Sequence, residues 1–385
     1  MTSSGLVYLV AGESSGDQLG ANLIRALKKW DDLNFTGIGG PAMAQEGLQS
    51  LFPMSDLSLM GIIEIIPHIP RILKRLKQTE EDILSKKPDV VVTIDSPGFC
   101  FRLAKRLRRH HIPLIHYTAP TVWAWRPGRA KKIAKIFDHL LALFPHEPPY
   151  FIKEGLDTTF VGHPLVEMDI TPERALGFRQ RHCLDEKNIV ICLLPGSRRG
   201  EVNRLLPIFV DVLRQLKNYY PNLQVVMPVV PHLKEHLTQF LEPNDLSILI
   251  IADAQEKIAA MAASNLALAA SGTVALELAL TETPTVIAYK ANPLTIFIVR
   301  RLILTPYVCL TNILLGRRVV PELLQEHCTV PEIFKALLNE IKGQQKQEIK
   351  KIRQLITPLH GTPSDIAAHK IVTILQNHKL NSQSK

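Results

Sequence analysis

The sequence alternates short apolar runs with helical patterns, and it does so in two successive series. The first series has apolar runs at residues 6–11, 89–94, 114–117 and 140–144, and its first helical pattern places Leu19, Leu23 and Leu27 on one face. The second series has runs at 189–194, 223–227, 248–251, 266–270 and 285–289. Strands that alternate with helices form parallel sheets covered on both faces. The chain is therefore predicted to be α/β, with two Rossmann-like domains.

A polar stretch separates the two series. Residues 167–187 are rich in Arg, Asp and Glu, and they follow the turn Gly162-His163-Pro164. Such a stretch is typical of a linker. We predict a first domain over residues 1–165, a second over 166–340, and helices with a polar tail over 341–385. The two parallel sheets are expected to face an interdomain cleft. For His163, a turn at the junction is a stronger interpretation than catalysis.

Cysteine usage and hydropathy exclude several classes of protein. The five cysteines form no C-x-x-C pair, which favours small buried residues in a reducing compartment. The longest apolar stretches, residues 258–280 and 294–315, contain Glu277, Arg300 and Arg301. A membrane-spanning helix needs roughly 20 nearly charge-free residues. We expect a cytoplasmic protein without a secretory signal or a transmembrane segment.

Positive charge is concentrated in the first series. The whole chain has a net charge of +9, and residues 71–135 hold 16 Lys and Arg against 5 Asp and Glu. Nucleic acid, an anionic membrane or a phosphorylated lipid would each be attracted by this charge. Nucleic acid is the weakest of these partners, because the window has no recognisable nucleic-acid-reading motif. We expect no nucleic-acid partner.

Two loops of the second series are candidates for a phosphate site. The run 189–194 ends in Pro195-Gly196-Ser197-Arg198, and the run 266–270 ends in Ser271-Gly272-Thr273 before a helix. Open α/β sheets bind ligands at the carboxyl ends of their strands, where glycines, Arg and free helix N–H groups suit phosphate oxygens. Each turn alone is more often an ordinary strand-to-helix connection. Together they predict a diphosphate site.

Glu277 and the absence of common motifs refine this site. Glu277 lies in an otherwise apolar run and needs a partner, either ribose hydroxyls or a neighbouring basic side chain. The sequence has no GxxxxGK[ST], GxGxxG, Asp-x-Asp or HExxH motif. We therefore expect no metal and no cofactor, with Arg198 and helix ends offsetting the phosphate charge.

Two carboxylates follow strands of the first series. Asp95 comes directly after the run 89–94, and Glu13 comes after the run 6–11. A carboxylate there is suited to accept a proton from an acceptor hydroxyl, and the alternative of a helix cap or an ion pair is nearly as strong. Asp95 is the preferred base, and Glu13 is expected to position substrate. The apolar residues 60–66, followed by a basic helix, favour either a buried helix or an interfacial segment that faces lipid.

Eight motifs in order resemble those of the lipid-A-disaccharide synthases. The resemblance runs from residue 6 to about 375 and rests on Ala11-Gly12-Glu13-Ser14-Ser15-Gly16-Asp17, Met60-Gly61-Ile62, Pro88-Asp89 with Ile94-Asp95-Ser96-Pro97, Val122-Trp123-Ala124-Trp125-Arg126, Gly162-His163-Pro164, Leu194-Pro195-Gly196-Ser197-Arg198, Ser271-Gly272-Thr273 and Leu323-Leu324-Gln325.

The resemblance implies a GT-B fold and an inverting glycosyltransferase of lipid A biosynthesis. Its substrates would be UDP-2,3-diacylglucosamine and 2,3-diacylglucosamine 1-phosphate, and its products a β-1,6-linked disaccharide 1-phosphate and UDP. Domain 1–165 would bind acceptor and lipid, and domain 166–340 the UDP-sugar. Residues 341–385 would pack back on the first domain or exchange with a partner subunit of a homodimer. The enzyme would lie on the cytoplasmic face of the inner membrane of a Gram-negative bacterium.

The resemblance also assigns site residues. Glu13 and Asp95 match positions important for activity, and Arg198, Glu277 and Asn312 match positions at the nucleotide site. Gly98 and Cys100 depart from the family, since many members have Asp and Asn there, and Thr118-Ala119-Pro120-Thr121 replaces a commoner Ser-Pro-Ser version. Two alternatives remain, a nucleotide-sugar 2-epimerase and a catalytically idle lipid-binding relative.

Overall fold

The structure is a computed structural model that describes residues 5–30, 33–57, 69–124, 128–242, 246–291, 303–343 and 345–383. The chain divides into two compact units. Unit 1 comprises Met1–Glu167 and Ile356–Lys385, and unit 2 comprises Met168–Leu355. Each unit contains a six-stranded parallel sheet with helices on both faces. The predicted α/β class with two Rossmann-like units is confirmed.

The sheet of unit 1 has the strand order β2-β1-β3-β4-β5-β6. Its strands are β1 Gly5–Ala11, β2 Leu33–Ile38, β3 Val90–Ile94, β4 Leu114–Tyr117, β5 His139–Ala142 and β6 Asp157–Phe160. Its α-helices are Ser14–Leu27, Pro41–Gln45, Ile69–Lys86, Pro97–Leu107, Arg129–Ala134, Pro148–Ile152 and Pro363–Gln383.

The sheet of unit 2 has the order β12-β11-β10-β7-β8-β9. Its strands are β7 Val190–Leu194, β8 Gln224–Pro228, β9 Ile248–Ile251, β10 Leu266–Ala269, β11 Thr285–Tyr289 and β12 Glu322–Leu324. Its α-helices are Pro172–Arg181, Arg199–Tyr219, Lys234–Leu241, Ala254–Ala262, Val274–Leu280, Leu310–Leu315, Val330–Glu340 and Lys346–Ile356, the last of which ends at the unit boundary.

Burial on both faces explains why the sequence of strand β1 is almost wholly apolar. Val7 and Leu9 belong to one buried cluster, together with residues of the helices Ser14–Leu27 and Pro363–Gln383. The alternate residues Tyr8 and Val10 belong to a cluster on the other face. A strand buried on both faces cannot alternate apolar and polar side chains, so it appears in the sequence as a continuous apolar run.

The C-terminal residues divide between the units. Gln345 is buried and bonds the backbone of Thr285 in both directions, with distances of 2.7 and 3.0 Å. Arg317 pairs with Glu348, so residues 341–355 are grouped with unit 2. The helix Pro363–Gln383 packs on Ser14–Leu27 in unit 1. Within the described ranges, no helix is long and apolar enough to cross a bilayer.

Each sheet has one point where the strand order reverses. In unit 1 the chain places β2 on one side of β1 and β3 on the other, so the reversal lies between β1 and β3. In unit 2 it lies between β7 and β10. The loops that follow these strands diverge at such a point and leave a crevice, which is where open α/β sheets bind ligands.

Candidate active site

Glu13, Ser15 and Asp95 lie at the reversal point of unit 1. Glu13 precedes the helix Ser14–Leu27 after β1, and Asp95 directly follows β3. The Ser15 hydroxyl donates a hydrogen bond of 2.9 Å to Asp95 Oδ2. Both carboxylates act on the nearby thiol of Cys100, whose pKa is raised chiefly by its burial and further by Asp95 and Glu13. The structure therefore brings the two predicted carboxylates to one edge and adds Ser15, which the sequence did not single out.

The turn that holds Asp95 is strained. Asp95 and Ser96 have φ values of +52° and +45°, in the left-handed region that non-glycine residues rarely adopt. The Asp95 N–H donates to the Tyr117 carbonyl at 2.7 Å, which fixes this conformation from the neighbouring strand. Gly12 packs so closely here that a Cβ would lie 2.5 Å from Ser96 Oγ. Close packing of the two loops thus sets the position of the Asp95 carboxylate.

The two departures from the family pattern differ in environment. Gly98 is exposed at the start of the helix Pro97–Leu107, and a Cβ added there would meet nothing within 4 Å. Cys100 is fully buried, and its Sγ lies 4.0 Å from the Val10 carbonyl. A larger side chain fits at position 98, whereas position 100 belongs to the core beneath the turn.

Asp17 has a structural role at the same edge. Its carboxylate is 5% exposed and accepts the backbone N–H groups of Gly40, Ala42 and Met43 at 2.8, 2.9 and 3.0 Å. These groups lie at the start of the helix Pro41–Gln45, where N–H groups have no partner within the helix. Asp17 therefore fixes the loop after β2, next to the site.

A second group of ionisable side chains follows β5. The Glu147 carboxylate is 1% exposed, accepts the N–H groups of Leu143 and Phe144 and also that of Trp123 Nε1, and burial raises its pKa to about 7. Trp123 also packs edge-on against His146 with ring centroids 4.8 Å apart. Trp123 is thus a packed side chain, as its sequence context favours. Trp125 and Arg126 of the same motif lie outside the described residues.

The Gly-His-Pro turn lies where the chain returns to unit 1. The His163 N–H donates to the Ile356 carbonyl at 2.9 Å, and Gly162 packs against Pro358. Burial lowers the pKa of His163 to about 4, so the ring is neutral near pH 7. Its Nδ1 accepts the Leu165 N–H. The contacts of His163 are those of a structural turn.

The predicted phosphate loops line one pocket in unit 2. This pocket has a volume of about 540 Å³ and extends along the carboxyl ends of β7, β8, β9 and β10. Its lining includes Gly196, Ser197, Arg198, Ser271, Gly272 and Thr273. A pocket of this size at the strand reversal is suited to a nucleotide.

Glu201 organises the first of these loops. It lies in the first turn of the helix Arg199–Tyr219, with its Oε1 3.6 Å from the Arg198 guanidinium and 3.2 Å from the Tyr289 hydroxyl, which donates to it. Burial and the Glu201 carboxylate raise the pKa of Tyr289. Gly196 has φ +123°, and a Cβ there would lie 2.9 Å from Glu201 Oε2. The loop therefore requires glycine at position 196.

Glu277 pairs with a lysine. Its Oε2 lies 2.6 Å from Lys257 Nζ, and the Glu277 side chain is 15% exposed. Lys257 lines the pocket with Arg198 and Ser271, whereas Glu277 is not among the lining residues. Of the two partners expected for Glu277 from the sequence, this one is the neighbouring basic side chain. A contact with ribose hydroxyls would use the other carboxylate oxygen of Glu277. Lys257 had no signal in the sequence, because a single lysine in a helical pattern is usually solvated.

Asn312 lies outside this pocket lining. It is fully buried, donates to the Val320 carbonyl at 2.8 Å and to Glu322 Oε1 at 2.7 Å, and accepts the N–H groups of Val319 and Val320. All of its amide hydrogen-bonding capacity is used by the segment that leads into β12. Any effect of Asn312 on a nucleotide would act through this segment.

A second cavity of unit 2 lies at the opposite edge of the sheet. It has a volume of about 430 Å³ and is lined by residues before β10 and β11, such as Asn265 and Pro284, together with Arg179 and Glu340. Ligands of open α/β sheets bind at the carboxyl ends of strands. The pocket at β7 and β10 is therefore the candidate nucleotide site.

Four arginines of the basic window are paired with carboxylates. Two buried carboxylates each form ion pairs with two of its arginines, Asp56 with Arg71 and Arg75, and Glu80 with Arg106 and Arg109.

The predicted interfacial segment, residues 60–66, lies outside the described residues. The helix Ile69–Lys86 after it exposes Ile69 and Leu73, which are 44% and 49% exposed.

The fold and the pocket define a protein of the GT-B class. A UDP-GlcNAc 2-epimerase from Neisseria meningitidis, solved with bound UDP-GlcNAc, is 14% identical with a TM-score of 0.64, covering 97% of this chain and 100% of its own. The glycotransferase of kitacinnamycin is 16% identical with a TM-score of 0.64, covering 96% of this chain and 99% of its own. At such identities the likeness shows the fold alone.

The family model described as lipid-A-disaccharide synthetase matches residues 7–373. The lipid-A-disaccharide synthase of Rhodospirillum centenum is 48% identical over 379 residues, which cover 96% of this chain and 94% of that protein. That of Gluconobacter oxydans is 43% identical, with coverages of 96% and 91%. The chain belongs to the lipid-A-disaccharide synthase family and is a glycosyltransferase of lipid A biosynthesis. The predicted family and activity are confirmed, and the family implies a UDP-sugar and a lipid as substrates.

Proposed function

We propose that the protein transfers 2,3-diacylglucosamine from its UDP conjugate to the 6-hydroxyl of 2,3-diacylglucosamine 1-phosphate. The acceptor oxygen attacks the anomeric carbon as the bond from that carbon to the UDP oxygen breaks. A single displacement inverts the anomeric centre, and its products are the β-1,6-linked disaccharide 1-phosphate and UDP. The observation that carries the proposal is the pocket of unit 2, which is lined by both predicted phosphate loops.

The donor side of this proposal rests on charge. UDP leaves as an anion, so the reaction is fastest where donors and cations already surround the leaving oxygen. Arg198 lines the pocket, and the backbone of Ser271–Thr273 precedes the helix Val274–Leu280. We assign Gly196, Ser197 and Arg198, with this turn, to the diphosphate. The ribose contact of Glu277 and the indirect effect of Asn312 belong to the same proposal.

The acceptor side rests on Asp95. We propose that this carboxylate takes the proton of the 6-hydroxyl and that Glu13 helps to position the acceptor. The hydrogen bond from Ser15 engages Asp95 Oδ2, which supports Oδ1 as the oxygen that receives the proton. The two left-handed residues hold the carboxylate in one orientation without the acceptor. A fixed general base contributes about 10² to 10⁴ in rate.

We further propose that unit 1 contacts an anionic membrane at the cytoplasmic face of the inner membrane. Ile69 and Leu73 lie one helical turn apart and are exposed, and Lys74 and Lys77 are exposed on the same helix. Exposed apolar and basic residues on one helix suit an interface of acyl chains and anionic headgroups. Leu73→Ser with Lys74→Gln should reduce co-sedimentation with anionic vesicles. Lys234→Gln, a charge change in unit 2, should not.

Product analysis tests the reaction. Purified protein is mixed with UDP-2,3-diacylglucosamine and 2,3-diacylglucosamine 1-phosphate, with and without EDTA, and the lipids are analysed by mass spectrometry. We expect a disaccharide 1-phosphate that requires both substrates, with NMR giving a β-1,6 linkage, and the same yield in EDTA. Loss of the product in EDTA would refute the metal-free site.

The same assay checks the second alternative drawn from the sequence, against which the family assignment already counts. A catalytically idle lipid-binding relative would bind UDP and form no disaccharide with acceptors of any acyl length. The Gly98 and Cys100 departures are the basis for that alternative. Disaccharide formation by the wild-type chain would exclude it.

A further inference from the structure

The charges that line the pocket of unit 2 do not favour an anion through Arg198 alone. Among the described residues that line it, the charged side chains are two cations, Arg198 and Lys257, and two carboxylates, Glu201 and Asp253. Glu201 lies 3.6 Å from Arg198, so part of the guanidinium charge is offset before any ligand binds. Glu277 likewise lies 2.6 Å from Lys257, so both cations are partly offset and a diphosphate in this pocket needs both of them.

Lys257 is placed to be the second cation. Its side chain is 37% exposed and lines the pocket, and Glu277, which is 15% exposed and does not line the pocket, pairs with it at 2.6 Å. The contact is an ion pair without hydrogen-bond geometry, because Glu277 Oε2 has no hydrogen-bond partner among the described residues, so it does not use up the three N–H donors of the ammonium group. The partly buried Glu277 limits the rotamers of a side chain that is otherwise long and mobile.

We propose that Lys257 binds the diphosphate of the nucleotide and that Glu277 is the positioning residue that holds its ammonium group in the pocket. This inference rests on the proposed function, because it assumes a UDP-sugar in the pocket. Lysine acts on phosphate as a compact point charge, whereas Arg198 presents a planar fork of donors. The two cations then approach the ligand from different elements, the helix Ala254–Ala262 and the loop after β7.

A purely structural ion pair makes a different prediction. If Lys257 only neutralised Glu277, its replacement would lower stability and weaken the binding of all ligands alike, without changing the number of ionic contacts to phosphate. If Lys257 binds phosphate, its replacement removes one such contact. The dependence of UDP affinity on salt then becomes weaker, because screening acts on fewer charge pairs.

Isothermal titration calorimetry with UDP, at several salt concentrations, tests the inference. The variants are Lys257→Met, Lys257→Arg and the control Lys234→Met, which makes the same charge change at an exposed position of unit 2 outside this pocket. We expect Lys257→Met to lose about tenfold or more in affinity, as for a lost hydrogen bond to a charged group. Its salt dependence should be weaker than that of wild type, Lys257→Arg should recover most of the affinity, and Lys234→Met should match wild type.

Glu277→Gln tests the positioning role. Because a lysine without its carboxylate partner is no longer held in place, Lys257→Met should cost less affinity in the Glu277→Gln background than in wild type. An unchanged cost would refute the role of Glu277.

The outcomes separate this inference from the proposed function. If the wild-type protein binds no UDP, the proposed function fails. If it binds UDP and Lys257→Met binds equally well, or binds less well with an unchanged salt dependence, the phosphate role of Lys257 is wrong and the proposed function stands.

Discussion

Replacement of Asp17 should destabilise unit 1 more than any surface substitution. The buried carboxylate accepts three backbone N–H groups, from Gly40, Ala42 and Met43. Asp17→Ala leaves all three without this partner. Hydrogen bonds to charged groups contribute about 1.5 to 3 kcal/mol each, and because three of them share one carboxylate we expect a total loss of about 4 kcal/mol. Asp17→Asn keeps one acceptor oxygen and should lose about half of that.

Tryptophan fluorescence during urea unfolding measures this loss. All three tryptophans, Trp30, Trp123 and Trp125, fall within the residue range of unit 1, and Trp30 and Trp123 are among its described residues, so the emission reports on this unit. The unfolding midpoint should fall in the order wild type, Asp17→Asn, Asp17→Ala. The control Asp211→Asn changes an exposed carboxylate paired with Arg214 and should shift the midpoint little. Equal midpoints for Asp17→Ala and Asp211→Asn would refute the reasoning.

Three further predictions follow from single sites. Gly98→Asp should raise the free energy of unfolding by about 1 kcal/mol in the same urea experiment. The added Cβ meets open space, and a carboxylate is favourable near the start of a helix. A lower unfolding midpoint would contradict this. Asn312→Ala should lower the thermal midpoint seen by circular dichroism and speed hydrogen exchange of residues 319–324, because it removes the bonds to Val320 and Glu322; unchanged exchange would contradict it. Burial raises the pKa of Glu147 from 4.5 to about 7, so the folded state holds a proton that the unfolded state releases, and stability falls as pH rises through that range. Relative to Glu147→Gln, wild type should lose up to about 3 kcal/mol between pH 4.5 and 7, and a flat difference would refute this assignment.

Whether a strand could be predicted from the sequence depended mainly on how far it is buried. The central strands are buried on both faces and appear as continuous apolar runs, so their positions were predicted to within two residues. The strands that were missed, β2, β6 and β12, each lie at a sheet edge and are only partly buried. These edge strands carry polar residues, so their sequences resemble loops. The fourth edge strand, β9, is also only partly buried, but it is wholly apolar and was predicted.

The candidate site was predictable where it depends on strand ends. Asp95, Arg198 and the Ser271–Thr273 turn follow buried strands directly, so their placement at a sheet edge follows from the α/β pattern. The contact of Lys257 with Glu277 depends on which side chains of different elements meet, and a single sequence carries no signal for such a pair. Ser15 belongs to the motif Ala11–Asp17, but its bond to Asp95 could be found only once β1 and β3 were placed side by side. Asp17 was part of a recognised motif. Its role in capping the helix Pro41–Gln45 could not be predicted, because strand β2, which precedes that helix, was not recognised in the sequence.

The central claim is a division of labour, in which unit 2 binds the departing UDP and unit 1 supplies the base. Parallel measurement of kcat and of UDP affinity for Asp95→Asn and Arg198→Ala tests it most directly. We expect Asp95→Asn to lower kcat by about 10² or more while UDP binds as in wild type. Arg198→Ala should weaken UDP binding and also lower kcat. Near wild-type turnover in Asp95→Asn, or unchanged UDP binding in Arg198→Ala, would contradict the account.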